Sequence, residues 1–398
     1  EWHTPSECLR RSLLDVIRVE SEALTKEKHN LQLSSRLVAL RQLDQHIMHN
    51  VKAFFGKQFL ALEELTWKTT GPYLLERVIA SEQVHPFENG LESMRHRIRD
   101  GVSRVSADGY ADKHVFALFH PCVPDEPLVS VQVALTCGVA DSVDKILGRP
   151  CPLPLDTSTS AKDTAIFYAI NNAHESLKGI ELGSALIKRV VSHLQQHPTQ
   201  FTNRNGDPHA IQTFSTLSPI PGYLPWLKGE VSKLEKGLPH RIFGSCENSA
   251  KHAHITDGCF SALRDAFGGG IDKHEEIAFV LLSLLEDKDE FSRKQCTQRW
   301  FFDEGFTAKL QKPLSKSVAW YLLGEKRRNR MLDPVGNFHI GNGATLHRIN
   351  WLANCSMKGC RESATFMVNY LYDMEELSRR ALQYEAQHAV SCSAQASE

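Results

Sequence analysis

The spacing of hydrophobic positions changes along this chain, and each change predicts a different kind of element. From Cys8 to about Phe59, apolar residues recur at steps of three and four. Leu40, Leu43, Ile47, Val51, Phe54 and Phe55 make one stripe, with Lys, Arg, Glu and Gln on the other faces. That pattern predicts amphipathic helices. Proline is absent from Leu9 to Thr70, and Gly71-Pro72 then breaks the pattern. Pro72 suits the first turn of a further helix over Tyr73–Ser81. A helical domain over residues 1–95 follows, whose stripe serves as core, as a subunit interface, or as both. The period next becomes two. His114–Phe119 and Leu128–Leu135 read as strands, with Val129, Val131, Val133 and Leu135 on one face. Pro121, Pro124, Asp125 and Pro127 supply the turn between them.

An exposed loop, Pro150–Ser160, leads into the stretch on which the rest is organised. Thr164–Ile170 is an apolar strand. Lys178-Gly-Ile-Glu-Leu-Gly-Ser184 opens a helix with Leu182, Leu186, Val190 and Leu194 along one face. Ile211–Leu217 is a second strand, and it ends in Ser218-Pro-Ile-Pro-Gly222. The helical period returns from Leu227 to about Lys312, with Ala278–Leu285 as its most apolar segment and Gly268–Gly270 as a loop. This reads as a helical insertion, about 227–312, in a second domain over 96–398. Ala344–Trp351 is a last strand, preceded by a loop, Asn337–Gly343. The small, polar carboxyl-terminal stretch reads as loose. The order implies an α+β protein: an all-helical amino-terminal domain, then a mixed-sheet domain of the acetyltransferase-like (GNAT) type. Strand–helix alternation is not sustained enough for a doubly wound sheet.

Composition narrows the function classes. A chain of 398 residues has room for two or three domains. Its 46 basic and 47 acidic residues balance, which argues against a general nucleic-acid or membrane-surface binder. The longest clean apolar run, Ile277–Leu285, is too short to span a bilayer. Ten cysteines stand singly, as in reduced thiols of an intracellular protein. The first residue is Glu, so a compartment signal is not read from this end. The carboxyl end is not of the Ser-Lys-Leu peroxisomal type.

Candidate chemistry gathers in a few places. The Lys178–Ser184 loop is either an ordinary glycine turn or an anion site, because close-set glycines before a helix present free amides at a positive dipole end. Glu181 weighs slightly against an anion. Ser218 is held in a turn stiffened by two prolines, and no Gly-x-Ser-x-Gly elbow occurs to suggest a serine hydrolase. Among the 19 histidines, His339 stands out because it precedes a strand beside Asn337 and two glycines, whereas His347 lies within that strand. Cys246, His252, His254 and Cys259 match no compact zinc spacing, so no metal is expected. Lys326-Arg-Arg-Asn-Arg330 reads as a solvated face or a phosphate clamp.

Taken together, these motifs resemble the malonyl-CoA decarboxylase family. The match runs through Leu62-Glu-Glu-Leu-Thr-Trp67, Val84-His-Pro86, Pro124-Asp-Glu-Pro127, Val133-Ala-Leu-Thr136, Ala165-Ile-Phe-Tyr168, Gly179-Ile-Glu-Leu-Gly183 and Ile187-Lys-Arg-Val-Val191. Its strongest parts are Leu217-Ser-Pro-Ile-Pro-Gly222, Ala319-Trp-Tyr321, Gly324-Glu-Lys326, Asn337-Phe-His339, Asn342-Gly-Ala344 and Arg348-Ile-Asn-Trp351. The resemblance implies a helical, oligomer-forming amino-terminal domain and a GNAT-like catalytic domain. It implies conversion of malonyl-CoA to acetyl-CoA and carbon dioxide with no added cofactor, in a homo-oligomer, a tetramer; the location expected is intracellular, in the cytoplasm or mitochondrial matrix, with the peroxisome left open. Carried over by motif, Ser218 and His339 are the catalytic pair. Lys178, Gly179, Ile180, Glu181, Leu182, Gly183 and Ser184 form the CoA-binding loop. Lys178 stands where relatives commonly carry Gln, and His347 where they carry an aromatic. A rival on the same fold is an N-acyltransferase that needs an amine acceptor. A catalytically silent CoA-binding regulator is a third reading, disfavoured by the presence of both Ser218 and His339.

Overall fold

The computed structural model describes residues 5–26, 31–56, 59–101, 110–123, 125–154, 162–177, 179–197, 211–236, 238 and 300–393. Its helices are α1 (Pro5–Lys26), α2 (Leu31–Phe54), α3 (Pro72–Ser81), α4 (Gly90–Arg95), α5 (Val143–Leu147), α6 (Leu182–Gln196), α7 (Tyr223–Glu235), α8 (Glu304–Leu323), α9 (Pro334–Gly341), α10 (Met357–Ser363) and α11 (Leu377–Gln387). The strands are β1 (Ala61–Leu65), β2 (Asp112–Phe119), β3 (Val129–Thr136), β4 (Thr164–Asn172), β5 (Thr213–Thr216), β6 (Ser218–Pro219), β7 (Lys326–Arg327), β8 (Arg330–Met331), β9 (Thr345–Asn350) and β10 (Met367–Leu371). The architecture is α+β, with a helical amino-terminal region and a mixed sheet. Contacts divide the chain into two compact units. One comprises Glu1–Ser103, Lys113–Val133 and Ala169–Phe201; the other comprises Arg104–Asp112, Ala134–Tyr168 and Thr202–Glu398.

In the first unit α1 packs along α2. The stripe on α2 is narrower than its sequence suggests. Ile47, Val51 and Phe55, spaced by four, are buried, while Leu43 and Phe54 are exposed. Arg10 of α1 bonds Asp44 at 2.8 Å. One segment of the expected helical stretch 1–95 is a strand instead. β1 pairs antiparallel with β2, from Ala61↔Phe119 to Leu65↔Val115. Five residues of alternating exposure fit a sheet edge better than a helix, and they cover the almost wholly buried β2. Leu65, Leu75, Val78, Met94, Val115, Ala117 and Phe119 form the core beneath. The order continues β1-β2-β3-β4. β3 is buried on both faces, not on one as expected. On α6, Leu182, Leu186, Val190 and Leu194 are buried, as their spacing requires.

In the second unit the order is β4-β5-β10-β6, with β9 also on β10. β4 and β5 run parallel, Thr164↔Thr213 to Phe167↔Thr216, while β10 is antiparallel to β5, β6 and β9. The expected strand Ile211–Leu217 therefore stops at Thr216. Leu217 donates its amide to the Phe167 carbonyl at 3.0 Å, and β6 begins one residue later. Tyr223, Trp226, Tyr321 and Phe366 pack ring against ring in the core, with centroids 5.4–6.4 Å apart. The proposed insertion is described only at its flanks, in α7 and α8; Gly268–Gly270 and Ala278–Leu285 lie outside the described residues, as does Pro124. The basic run 326–330 is an exposed hairpin, β7–β8, with Arg328 and Asn329 at positive φ in its turn. The carboxyl-terminal stretch is ordered further than expected. After α11, the Ser391 carbonyl accepts the Leu346 amide, and Ser393 donates to the Leu346 carbonyl, both at 2.9 Å. The tail thereby satisfies backbone groups on β9.

Candidate active site

Ser218 owes its position to β10. The two-residue β6 pairs Met367↔Pro219 and Val368↔Ser218. Side chains alternate along a strand, so Ser218, opposite Val368, lies on the face that also carries Tyr370 and Tyr372. Pro219 has no amide to offer the sheet, which helps end β6 after two residues.

His339 reaches the same face from a helix, and this corrects the expected loop over Asn337–Gly343. Asp333 is the N-cap of α9, and its carboxylate accepts the Gly336 amide at 2.7 Å. Pro334 fills the first helical position, where no amide is needed. These two residues start a helix that a reading from the histidine side misses. Gly343 is not a ligand cradle: a β-carbon there would strike the backbone of Leu377. It lets α11 close over the end of α9.

Ser218 Oγ and His339 Nε2 stand 3.0 Å apart. Ser218 Oγ donates to Thr216 Oγ1 at 2.9 Å, and the same oxygen takes the Tyr370 amide at 3.2 Å. On the far side of the imidazole, Nδ1 lies 2.8 Å from the Tyr372 hydroxyl. The ring stacks on Tyr370, with centroids 4.7 Å apart and planes at 24°. Ser218 is 6% exposed and His339 3%. Burial pulls the imidazole down to about 3, so it is neutral throughout the physiological range. Burial also pushes the Tyr370 and Tyr372 hydroxyls well up, which keeps them protonated. With the serine proton committed to Thr216, the serine oxygen receives Nε2–H and the Tyr372 proton faces Nδ1. The arrangement is a neutral acid: a desolvated N–H aimed at a hydroxyl, with a second donor behind it.

Behind Thr216, buried amides lock the strands. Asn369 donates to the Thr216 carbonyl at 2.8 Å and to the Ala140 carbonyl at 3.1 Å. Asn350 donates to Asn369 at 2.7 Å, and Arg348 donates to Asn350 at 2.7 Å. Arg348 and Asn350 of the Arg-Ile-Asn-Trp motif are thus joined to Thr216, Ser218's hydrogen-bond partner, through three bonds. His347, by contrast, sits half-buried on β9, and neither Ser218 nor Tyr372 bonds it.

The Lys178–Ser184 loop belongs to the first unit and the Ser218–His339 pair to the second. Lys178 lies outside the described residues. Gly179 has φ +90°, the left-handed region that favours glycine. Ile180 follows in a bend, and Glu181 is the N-cap of α6 with no side-chain hydrogen bond to the helix amides. Leu182, Gly183 and Ser184 form the buried first turn. An α-helix leaves its first amides without intrahelical acceptors, and here the capping side chain does not supply one. Cys246, His252, His254 and Cys259 lie outside the described residues; among the described residues no group of three or more His, Cys, Asp or Glu is arranged to hold a metal. Among the described residues no helix is long and apolar enough to cross a membrane.

Tyr370, Tyr372, Thr216 and Asp333 escape a reading of motifs. The signal for the tyrosines was the alternation Val368, Tyr370, Tyr372, which marks one face of a strand. For Asp333 it was the Asp-Pro step that opens α9.

The family model for the malonyl-CoA decarboxylase C-terminal domain matches residues 58–398. The mitochondrial malonyl-CoA decarboxylase of Mus musculus is 32% identical over 357 residues, 89% of this chain and 62% of the relative. The mitochondrial enzyme of Anser anser anser is 32% identical over 346 residues, 87% of this chain and 58% of the relative. The chain thus spans less than two thirds of the length of these curated relatives. Among solved structures, the malonyl-CoA decarboxylase of Rhodopseudomonas palustris aligns with a TM-score of 0.63 at 27% identity, covering 98% of this chain and 78% of that one. That of Agrobacterium vitis gives 0.62 at 28%, covering 92% and 74%.

Proposed function

The chain belongs to the malonyl-CoA decarboxylase family, and from that premise we propose that it converts malonyl-CoA to acetyl-CoA and carbon dioxide. The observation that carries the reading is the buried Ser218–His339–Tyr372 chain, because the reaction needs a proton donor shielded from water. Loss of carbon dioxide leaves electron density on the α-carbon, spread into the thioester as an enolate. That enolate must be held, screened from water and protonated on carbon.

Ser218 turns its hydroxyl from Thr216 to the malonyl carboxylate and orients it. His339 then delivers the Nε2 proton to the α-carbon. A thioester enolate is basic enough to take a proton from a neutral imidazole, so the low imidazole pKa does not disqualify the donor. The Tyr372 hydroxyl on Nδ1 compensates the charge left on the ring, and solvent restores the proton. Separately, the amino terminus of α6, with the Lys178–Ser184 loop, is assigned to an anionic group of CoA. No cofactor enters these steps.

The finer fold reading belongs to the same proposal. The β4–α6–β5 crossover, with β4 and β5 parallel, supports a GNAT-like catalytic domain over 96–398. Residues 1–95 are assigned to subunit contacts in a closed oligomer, a tetramer. In support, α1 and α2 leave Leu9, Val16, Val19, Val38 and Leu43 exposed. The isolated cysteines and the mitochondrial relatives support an intracellular site, in the cytoplasm or mitochondrial matrix.

The test is incubation with malonyl-CoA alone, measuring carbon dioxide and acetyl-CoA. Equal release of both supports the decarboxylase. Turnover that begins only when an amine is added refutes it in favour of the N-acyltransferase.

A further inference from the structure

Ser218 and His339 are 121 positions apart in the chain, and their hydrogen bond depends on how the serine turn meets α9. Asp333 joins the two segments directly. Its carboxylate is 1% exposed. On the α9 side it accepts the amide of Gly336 at 2.7 Å; on the serine side it lies against Gly222, the last residue of Ser218-Pro-Ile-Pro-Gly222, where a β-carbon would sit 3.4 Å from Oδ2. From α8 the Tyr321 hydroxyl donates to Oδ2 at 3.4 Å. A β-carbon at Gly222 would collide with that hydroxyl, so glycine is what permits the turn, the tyrosine and the carboxylate to meet. A β-carbon at Gly336 would crowd Met331 and the Tyr370 hydroxyl, so α9 is seated as tightly on the ring that stacks against His339.

We propose that Asp333 is a positioning residue for the decarboxylation, a carboxylate clasp that fixes the Ser218 turn against the helix carrying His339. The inference rests on the functional reading above. It assigns a role to a group that does not itself touch the reacting atoms.

The titratable groups facing Asp333 are Tyr321 from α8 and Tyr370 from β10, with Glu325 next to Tyr321 in charge. Burial holds both tyrosines protonated, and it raises the Asp333 carboxyl to about 6 against the pull of its amide donors. Protonation below that value places a proton on a carboxyl that accepts from the Gly336 amide and the Tyr321 hydroxyl, which weakens its hold on those donors. His339, held near 3, does not titrate there. The acid limb of turnover therefore belongs to Asp333. Because the folded pKa lies above the usual carboxyl value, the stability this group contributes is present below about 4 and lost as pH rises through about 6. Loss of the charge alone therefore does not unfold the protein at neutral pH, and Asn keeps an N-cap acceptor.

The experiment measures kcat and KM for malonyl-CoA from about pH 5 to 8 in wild type, Asp333→Asn and Tyr321→Phe. The 15N signals of the His339 ring are followed alongside, and they require no turnover. Wild-type kcat should fall below about pH 6. Asp333→Asn should lower kcat roughly 10²-fold, with KM little changed, and lose the acid limb. Tyr321→Phe removes one donor and should move the limb to higher pH. The His339 Nε2 signal in Asp333→Asn should shift toward that of Ser218→Ala. Folded Asp333→Asn with wild-type kcat, acid limb and His339 signals overturns the clasp. If wild type releases no carbon dioxide at any pH, the decarboxylase reading fails, and the His339 signals alone decide whether the clasp stands.

Discussion

At the amino terminus of α6 the available donors are backbone amides, and side chains contribute little: Glu181 makes no capping bond to the helix, and Gly183 has no side chain. Around Ser218 the reverse holds. Every contact in the line from Thr216 through Ser218 and His339 to Tyr372 is made by a side chain. A backbone site of the first kind depends on space and on the helix dipole, so it tolerates most side-chain changes that keep it open. A side-chain site of the second kind is buried, and each member leaves its neighbour unsatisfied when removed. The two regions should therefore fail differently under mutation.

The largest effect is expected at the pair. His339→Asn should lower kcat by roughly 10²–10⁴, with CoA binding little changed, the range for a lost general acid–base group. Ser218→Ala should be comparably slow, and the double variant should cost less than the two losses combined, because the residues act as a unit. Steady-state kinetics with parallel CoA titrations checks this. Next comes Tyr372→Phe, which leaves Nδ1 without its donor. A lost buried partner costs about 1–3 kcal/mol, so kcat should fall by about tenfold to a hundredfold while KM stays.

The backbone site should respond to charge more than to bulk. Gly183→Asp should weaken CoA binding by about tenfold or more, and Gly183→Ala by less, if an anion sits at the positive helix end. Calorimetric CoA titration of folded variants gives the comparison; equal losses in the two would assign the site to shape, not charge. The smallest effect is expected on β9. His347→Trp should fold and keep most of its turnover, because His347 bonds neither Ser218 nor Tyr372. A dead His347→Trp beside a fully active His339→Asn would move the chemistry from His339 to His347.

The same contrast explains which parts were legible in the amino-acid sequence. The stripe Leu182, Leu186, Val190, Leu194 is a local signal, and α6 follows it. β4, β2 and most of β3 are likewise legible from short apolar runs. β10 is different. Phe366-Met-Val-Asn-Tyr-Leu-Tyr372 is buried along almost its whole length, so its apolar run fits a strand or a buried helix equally well. Without β10 the sequence reading cannot place Tyr372 behind His339, nor Thr216 beside Ser218. Asp333-Pro334 is a helix-start signal, yet its packing against Tyr321 and Gly222 joins segments far apart in the chain and leaves no local mark. The Ser218–His339 pair itself came from motif resemblance. The residues that hold it in place come from packing.

The most direct measurement is turnover of malonyl-CoA in deuterated water, with the acetyl-CoA product read by mass spectrometry and the rate followed for wild type and His339→Asn. One solvent deuteron is expected in the acetyl methyl group of the wild-type product, released with an equal amount of carbon dioxide and no amine present. The same step should slow roughly 10²–10⁴-fold in His339→Asn. Wild-type rates in His339→Asn, with deuterium incorporated as before, would contradict the assignment of the proton to His339.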